Sequence, residues 1–355
     1  MRSSILKAVC VCGVAALAVS TNAAGFSETK SFSSNSLTVT NLIGEVRVAG
    51  HDGSDFTVVI DVQGEDASRG SVELETKGNS LAVVFPKSKR YVYPGLDADK
   101  TVSFRPSGHD ESWLGALLGS STIKVDRRGN GMEVWADVEI RVPEGGRLEL
   151  RHGAGAVTAK NVEGDLDLDS HYGKVAVDSI DGDLRVDTGS GNVSVAQVRG
   201  DVRIDTGSGD VTLAEMAAAG DVSIDTGSGD VSLTDVSGAD FDIDTGSGNI
   251  DGNGLRAEGA RIDTGSGSVA LFLAEMGRND FDIDTGSGGI TLAIPSGAGC
   301  RVEADSGSGG VRVDIEGVND LRREDDGEVE FTVGGGGARV SLDSGSGAIR
   351  IIESD

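Results

Sequence analysis

A five-residue unit, Asp-Thr-Gly-Ser-Gly, recurs through the second half of the chain and constrains its fold more than any other feature. Six identical units, followed by two that read Asp-Ser-Gly-Ser-Gly, begin at Asp187, Asp205, Asp225, Asp244, Asp263, Asp284, Asp305 and Asp343. The first seven starts are 18 to 21 residues apart, and the last step is 38 residues. A period of this length is typical of a solenoid, in which each repeat is one coil that packs only on its neighbours.

Each repeat has the pattern of two short strands separated by a turn. In residues 201–214, Val202 and Ile204 precede the unit, Val211 and Leu213 follow it, and polar residues alternate with them. Alternation with period two predicts half-buried strands. The glycines are expected to allow positive φ in the turn, and the Asp, Thr and Ser side chains to bond nearby amides. We therefore predict an all-β fold, a single-chain β-solenoid (β-helix) with coils of about 19 residues. The coils should lie about 4.8 Å apart, and right-handed coiling is the commoner sense.

The remaining sequence divides the chain into four segments. Residues 1–23 have basic residues, a short apolar run and a small-residue cleavage site, which together predict a secretory signal peptide. Residues 24–86 read as irregular β coils, residues 87–131 as a loop insertion, and residues 132–355 as regular solenoid continuing the same core. The last coil, residues 343–352, is expected at the open end, where the charged Glu353 and Asp355 would discourage edge-to-edge aggregation.

The insertion at residues 87–131 is basic and aromatic in character. Its apolar stretch at 112–118 could be a short helix or an exposed tip. Two interpretations stay open: a long loop folded over the solenoid, or a protruding patch that binds a partner. The residues behind the second interpretation are Lys87, Lys89, Arg90, Tyr91, Tyr93, Arg105, Trp113, Lys124, Arg127 and Arg128.

Charge and cysteine content narrow the function classes. The formal net charge is −27, which argues against nucleic acid and anionic membranes as partners. No apolar run after the signal peptide is long enough to cross a membrane, and we expect a monomer. The predicted mature chain has one cysteine, Cys300, and so no internal disulfide. We interpret Cys300 as a small buried hydrophobe rather than a reactive thiol.

Stacked coils would place the eight repeat aspartates in a ladder. Like charges at that spacing repel by about 1 kcal/mol in water, so turn amides and water must offset the repulsion. This predicts a structural Asp ladder. The alternative is Ca²⁺ bridging successive coils, helped by Asp210 and Asp230. The calcium-binding β-roll has a nine-residue repeat, which does not match this period, so no metal is predicted.

Two other patterns resemble chemical sites. Ile-Asp-Thr-Gly-Ser resembles the sequence around an aspartic-protease carboxylate, but that mechanism needs two facing carboxylates rather than copies along one edge. His152 and His171 lie one coil apart beside Asp169 and could bind a transition metal, although solvated corner residues are the favoured interpretation. The sequence has no Ser/His/Asp set, phosphate loop or CxxC. We predict no catalytic, cofactor or metal site, and no enzyme activity.

The tandem units, the Val-Pro-x-Gly-Gly stretch at 142–146 and the Gly-Gly-Gly-Gly-Ala-Arg-Val stretch at 334–340 resemble the bacterial putative-adhesin family, an uncharacterised β-strand-repeat domain. The resemblance implies a β-solenoid at the envelope or surface without known enzyme activity. The leading hypothesis is an exported, non-enzymatic scaffold or adhesion module, periplasmic or at the cell surface of a bacterium, with a protein or glycan of the envelope as partner. The alternatives are a calcium-dependent envelope repeat protein and a polysaccharide-active enzyme, since long β-helices often host such sites.

Overall fold

The computed structural model describes residues 16–17, 25–68, 70–96, 101–104, 122–217, 220–323 and 327–354. All regular structure in these ranges is β-strand, which confirms the predicted all-β class. None of the described residues forms a helix that could serve as a membrane span. The predicted signal peptide, apart from a two-residue strand, and the apolar stretch at 112–118 lie outside the described residues.

In chain order the strands are β1 (Ala16–Leu17), β2 (Phe26–Phe32), β3 (Ser36–Ile43), β4 (Val46–His51), β5 (Phe56–Gln63), β6 (Glu73–Lys77), β7 (Ser80–Val84), β8 (Arg90–Val92), β9 (Val102–Phe104), β10 (Ile123–Asp126), β11 (Trp135–Pro143), β12 (Gly146–Ala154), β13 (Val157–Tyr172), β14 (Val175–Asp181), β15 (Leu184–Ser190), β16 (Val193–Arg199), β17 (Val202–Thr206), β18 (Val211–Met216), β19 (Val222–Thr226), β20 (Val231–Thr245), β21 (Ile250–Thr264), β22 (Val269–Met276), β23 (Phe281–Thr285), β24 (Ile290–Pro295), β25 (Cys300–Ser306), β26 (Val311–Asp314), β27 (Val318–Arg323), β28 (Glu328–Val333), β29 (Ala338–Ser344) and β30 (Ile349–Ser354).

Most of these strands form two parallel ladders, one on each side of the repeat turn. In the pre-turn ladder, β15 pairs with β17, β17 with β19, and β19 with the second half of β20. In the post-turn ladder, β14 pairs with β16, β16 with β18, and β18 with the first half of β20. Residues one repeat apart therefore lie side by side: Leu184 pairs with Val202, and Val202 with Val222.

The alternate apolar residues of both ladders face one continuous core. Val186, Ile204 and Ile224 in the pre-turn ladder, and Val195 and Leu213 in the post-turn ladder, are each at most 2% exposed. The predicted inward positions are thus confirmed. Each such side chain contributes about 1.5–3 kcal/mol by leaving water, and stacking lets neighbouring coils share that interior.

The glycines of the repeat unit are required for close approach, not for positive φ as predicted. None of the described glycines with positive φ lies in one of the eight units. Instead, a Cβ at Gly248 would lie 1.8 Å from the carbonyl oxygen of Gly229, and one at Gly267 would lie 1.8 Å from that of Gly248. Five non-glycine residues with positive φ, between 51° and 61°, occur at the other corner of successive coils: Asn161, Ser179, Gln197, Glu215 and Asp235.

The last coil lies inside the stack, whereas the sequence predicted it at the open end. β29 pairs with β23 on one side and with β25 on the other. β30 likewise lies between β24 and β26, so Glu353 pairs with Ile294 and does not end an open edge. Asp355 is outside the described residues. After β26, the strands β27 and β28 pair antiparallel, and β28 occupies the outer side of β25.

The first coil is also separated from its neighbours along the sequence. β3 packs on β12 and β4 on β13, with Leu37 paired with Leu148. The chain between β4 and β11 forms other pairs. β5 runs antiparallel to both β2 and β11, and the β6–β7 hairpin extends the pre-turn ladder by pairing β7 with β3. Residues 36–49, whose sequence aligns with the repeat at 201–214, thus belong to the regular stack.

The described part of the insertion contains a three-stranded sheet in the order β8-β10-β9. Its buried side chains include Tyr91 and Phe104, which join the main core. The ring of Tyr93 packs 5.8 Å from that of Trp135, and the ring of Phe104 packs 5.0 Å from that of His171. The segment predicted as a loop therefore includes a small sheet that is docked on the stack.

Candidate functional site

A groove lies where the inserted sheet meets the turn edge of the stack. It has a volume of about 680 Å³, which is within the size range of small-ligand sites. One wall is the strand segment Thr101, Val102 and Ser103. The other wall is formed by three successive turns, through His171, Tyr172, Gly173, Lys174, Gly189, Ser190, Gly191, Asn192 and Ser208.

The groove coincides with a departure from the repeat sequence. The turn that begins at Asp169 reads Asp-Ser-His-Tyr-Gly, so His171 replaces a glycine and Tyr172 replaces a serine. His171 supports the inserted sheet through Phe104. Tyr172 is half-buried, as is the equivalent Ser190 one coil later, whereas Ala154, one coil earlier, is fully buried. The groove therefore opens where the repeat residues are replaced by aromatic ones.

The charge of the groove differs from that of the chain. Among the described residues, its lining includes Lys174 and His171 but no Asp or Glu, although the net charge of the chain is −27. Lys174 follows the last glycine of its turn, a position held by Asn192, Asp210 and Asp230 in the next three coils. The electrostatic potential is therefore less negative in the groove than along the rest of the turn edge, which favours the approach of an anion.

A second groove, of about 420 Å³, follows the opposite corner and has a different character. Its polar side chains bond each other along the stack: the Ser179 hydroxyl donates to Gln197 over 3.1 Å, and the Gln197 amide donates to Glu215 over 3.2 Å. Arg199 lies 3.8 Å from Asp181. We regard the first groove as the better candidate, because it lies where the inserted sheet meets the turn whose sequence departs from the repeat.

The structure places the eight repeat aspartates side by side, in an order that differs from the sequence. Their pairing order is Asp187, Asp205, Asp225, Asp244, Asp263, Asp284, Asp343 and Asp305.

The pKa of Asp244 is raised mainly by partial burial and, to a smaller extent, by the neighbouring carboxylates of Asp263 and Asp225. Partial burial, and then Asp343 and Asp263, raise that of Asp284. At the other end of the ladder, the Arg185 guanidinium lies 3.9 Å from the Asp187 carboxylate and offsets part of the repulsion between Asp187 and the next aspartate.

The turns enclose a buried polar column, made of the second residue of each turn. Its members are Asn41, His152, Ser170, Thr188, Thr206, Thr226, Thr245, Thr264, Thr285, Ser344 and Ser306, and each is at most 3% exposed. From Thr226 onward, each hydroxyl donates to a glycine carbonyl of the neighbouring coil and accepts the amide three residues later. For Thr245 both distances, to Gly229 O and from Gly248 N, are 3.1 Å. This explains why the unit needs a hydroxyl at its second place.

The other end of the buried polar column is not satisfied in this way. Within the described part of the chain, no hydrogen-bond partner is found for Asn41 Oδ1, the two ring nitrogens of His152, or the hydroxyls of Ser170, Thr188 and Thr206. Burial lowers the pKa of His152 to about 4, against the opposing effect of the nearby backbone of Asn41, Gly44 and Gly155.

The two histidines do not converge, contrary to the proposed metal pair. His152 pairs in register with Ser170 and Asn41 and is fully buried, so its interpretation as a solvated corner residue is wrong. His171 lies on the other side of the strand, against Phe104. Among the described residues, no group of three or more His, Cys, Asp or Glu side chains could hold a metal ion.

Cys300 is fully buried and unbridged, which confirms its interpretation as a small hydrophobe. Burial raises the pKa of its thiol to about 11. A thiolate is therefore scarce at neutral pH, and Cys300 is not an activated nucleophile.

Comparison with known proteins identifies a family. Residues 136–352 match the family model described as Toastrack DUF4097. No curated protein matches the chain. Two solved structures are similar at 12% identity: a putative adhesin from Parabacteroides distasonis, with a TM-score of 0.33 over 92% of this chain and 97% of that one, and a putative cell adhesion protein from Clostridium sporogenes, with a TM-score of 0.17 over 93% and 99%. At these scores neither structure supports a conclusion about fold or ligand.

Proposed function

Since the chain belongs to the Toastrack DUF4097 family, we propose that it is an exported, non-enzymatic binding module of the bacterial envelope, acting as a scaffold or adhesin. Residues 1–23 would direct export and be removed, leaving a monomer in the periplasm or at the cell surface. The mature chain would form a right-handed β-solenoid with coils of about 19 residues. Its parts would be the first coils at 24–86, the insertion at 87–131 and the regular stack at 132–355. The Asp ladder would have a structural role, solvated by water.

One observation carries this proposal: the insertion docks on the stack where the repeat sequence changes, and forms a groove there whose described lining residues include no Asp or Glu. The stack supports the groove rigidly, because each coil is tied to its neighbours by parallel backbone hydrogen bonds. A ligand site on such a scaffold keeps its geometry without reorganisation, which favours binding. The expected partner is a protein or glycan of the envelope.

Binding to the native envelope tests the proposal with a matched pair of variants. Residues 24–355, fluorescently labelled, are titrated onto isolated envelopes, while fractionation of native cells locates the endogenous protein. Ser190→Trp fills the groove, whereas Ser266→Trp places the same side chain in an equivalent turn outside it.

We expect saturable binding that Ser190→Trp weakens by about tenfold or more and Ser266→Trp leaves unchanged. An endogenous protein confined to the cytosol, or binding that neither variant alters, would contradict the proposal.

A further inference from the structure

The groove also carries information about the chemistry of its ligand. This inference rests on the proposed function and narrows it. We propose that the groove binds an oligosaccharide that carries a carboxylate, with Tyr172 packing against a sugar ring and Lys174 pairing with the acidic group. The argument has three parts: the aromatic residue, the neutral polar lining and the charge.

Tyr172 is suited to a sugar ring. Aromatic residues make up only 4% of the chain, and this one stands where the other units have serine. It is half-buried, packs partly on the hydrophobic core and lines the groove. A ring that is already held in place binds a flat apolar surface at little cost in side-chain entropy, and the C–H face of a hexose is such a surface.

The neutral lining is matched to hydroxyl groups rather than to apolar side chains. Ser103 on one wall can donate and accept, and the Ser190 hydroxyl on the other wall lies 3.4 Å from that of Ser208 and keeps further acceptor capacity. Asn192 is oriented by its neighbour, because its amide nitrogen lies 3.2 Å from Asp210 Oδ2 and its oxygen accepts the Asp210 amide over 3.3 Å. Each group of the Asn192 amide keeps one further hydrogen-bonding position. Glycines fill much of the rest, so a peptide would find few apolar pockets here.

Lys174 provides the positive charge. It is exposed, and among the described residues that line the groove none is Asp or Glu. The carboxylate of Asp210 lies behind this lining, where it is hydrogen-bonded to Asn192 over 3.2 Å, and acidic turns farther along the stack are screened, since the Debye length is about 8 Å at physiological salt. A single ammonium fits one carboxylate, whereas a polyphosphate chain would meet too little positive charge.

Calorimetric titration of residues 24–355 with sugars of equal length tests the inference. The probes are hexasaccharides of hyaluronan and polygalacturonate, with maltohexaose as the neutral control. Tyr172→Ser and Lys174→Asn each introduce the residue that the next coil has at that place, so folding should be preserved. Ser266→Ala is the control outside the groove, and melting temperatures check all variants.

We expect at least one acidic hexasaccharide to bind more tightly than maltohexaose. Tyr172→Ser and Lys174→Asn should each weaken that binding by about tenfold, and Lys174→Asn should also remove its salt dependence. Equal affinity for acidic and neutral sugars would overturn the role of Lys174. Absence of sugar binding, with envelope binding still sensitive to Ser190→Trp, would reject the sugar ligand and leave the proposed function intact. If neither sugars nor isolated envelopes bind the protein, both the sugar ligand and the proposed function are rejected.

Discussion

Replacing Thr245 with valine should destabilise the chain although the side chain keeps its shape. The Thr245 hydroxyl is fully buried, donates to the Gly229 carbonyl over 3.1 Å and accepts the Gly248 amide over the same distance. Valine leaves both backbone groups without that partner inside the stack. A buried polar group without a partner costs about 1–3 kcal/mol, so we expect the free energy of unfolding to fall by about 2–3 kcal/mol.

Thr206 provides the matched comparison. It occupies the same place in an identical unit and is equally buried, but within the described residues its hydroxyl has no hydrogen-bond partner. Valine there removes an unsatisfied hydroxyl, so Thr206→Val should change stability by about zero or raise it by up to about 1 kcal/mol. Thr245→Ser keeps the hydroxyl at the first site and should lose only the contribution of a methyl group.

The assay combines urea unfolding with hydrogen exchange measured on peptides that cover each turn. The local measurement is needed because stacked repeats do not always unfold in one step. Exchange should accelerate around Gly248 in Thr245→Val and stay unchanged around Gly209 in Thr206→Val. If Thr206→Val costs as much as Thr245→Val, or if Thr245→Ser behaves like the valine variant, the hydroxyl bonds do not have the role given to them here.

Three further predictions follow from other buried groups. Between pH 6.5 and pH 4, the free energy of unfolding of the wild type should fall by about 3 kcal/mol more than that of His152→Thr, because burial lowers the folded pKa of His152 to about 4 and the unfolded imidazole takes up its proton first. Urea unfolding of both proteins at both pH values measures this difference, and equal losses would contradict it. Gly248→Ala should cost several kcal/mol, because its Cβ would meet the Gly229 carbonyl at 1.8 Å, whereas Gly335→Ala, with open space around it, should stay within about 0.5 kcal/mol; melting curves decide. Folded Cys300, buried and with a thiol pKa near 11, should resist an aromatic disulfide reagent at pH 8 until urea is added, and immediate reaction would refute its burial.

The repeat allowed much of the fold to be predicted, because one period fixes two things at once. It sets which side chains alternate inward, as for Ile204 and Leu213, and which residues meet across coils, as for Asp205 and Asp225. Both depend on short-range pattern alone. The same reasoning predicted that the unit needs hydroxyls, although not that the threonine faces inward.

Coil order could not be predicted, because the units at Asp305 and Asp343 present almost the same surface to Asp284. Which of them stacks there depends on where the β27–β28 hairpin packs, a long-range choice that alternation does not encode. The burial of His152 was missed for a related reason: its polar character suggested solvent, whereas its place in the unit is that of the inward threonine.

The groove was only partly visible in the sequence. The change to His171 and Tyr172 stood out against the repeat, and the insertion was recognised as a break in the pattern. That the two meet depends on the contact between Phe104 and His171, which are 67 residues apart in the chain. No periodicity connects them, so the site required the structure.

The placement of the final strands affects how the chain can mature. Residues 338–354 fill the space between two coils that were synthesised earlier, on one side β23 and β24 and on the other β25 and β26. The stack therefore cannot be completed coil by coil in sequence order, because the layer between β23 and β25 forms only after residues 338–354 have been made. Removing these residues would take out an internal layer and leave β25 and β26 without these pairing partners.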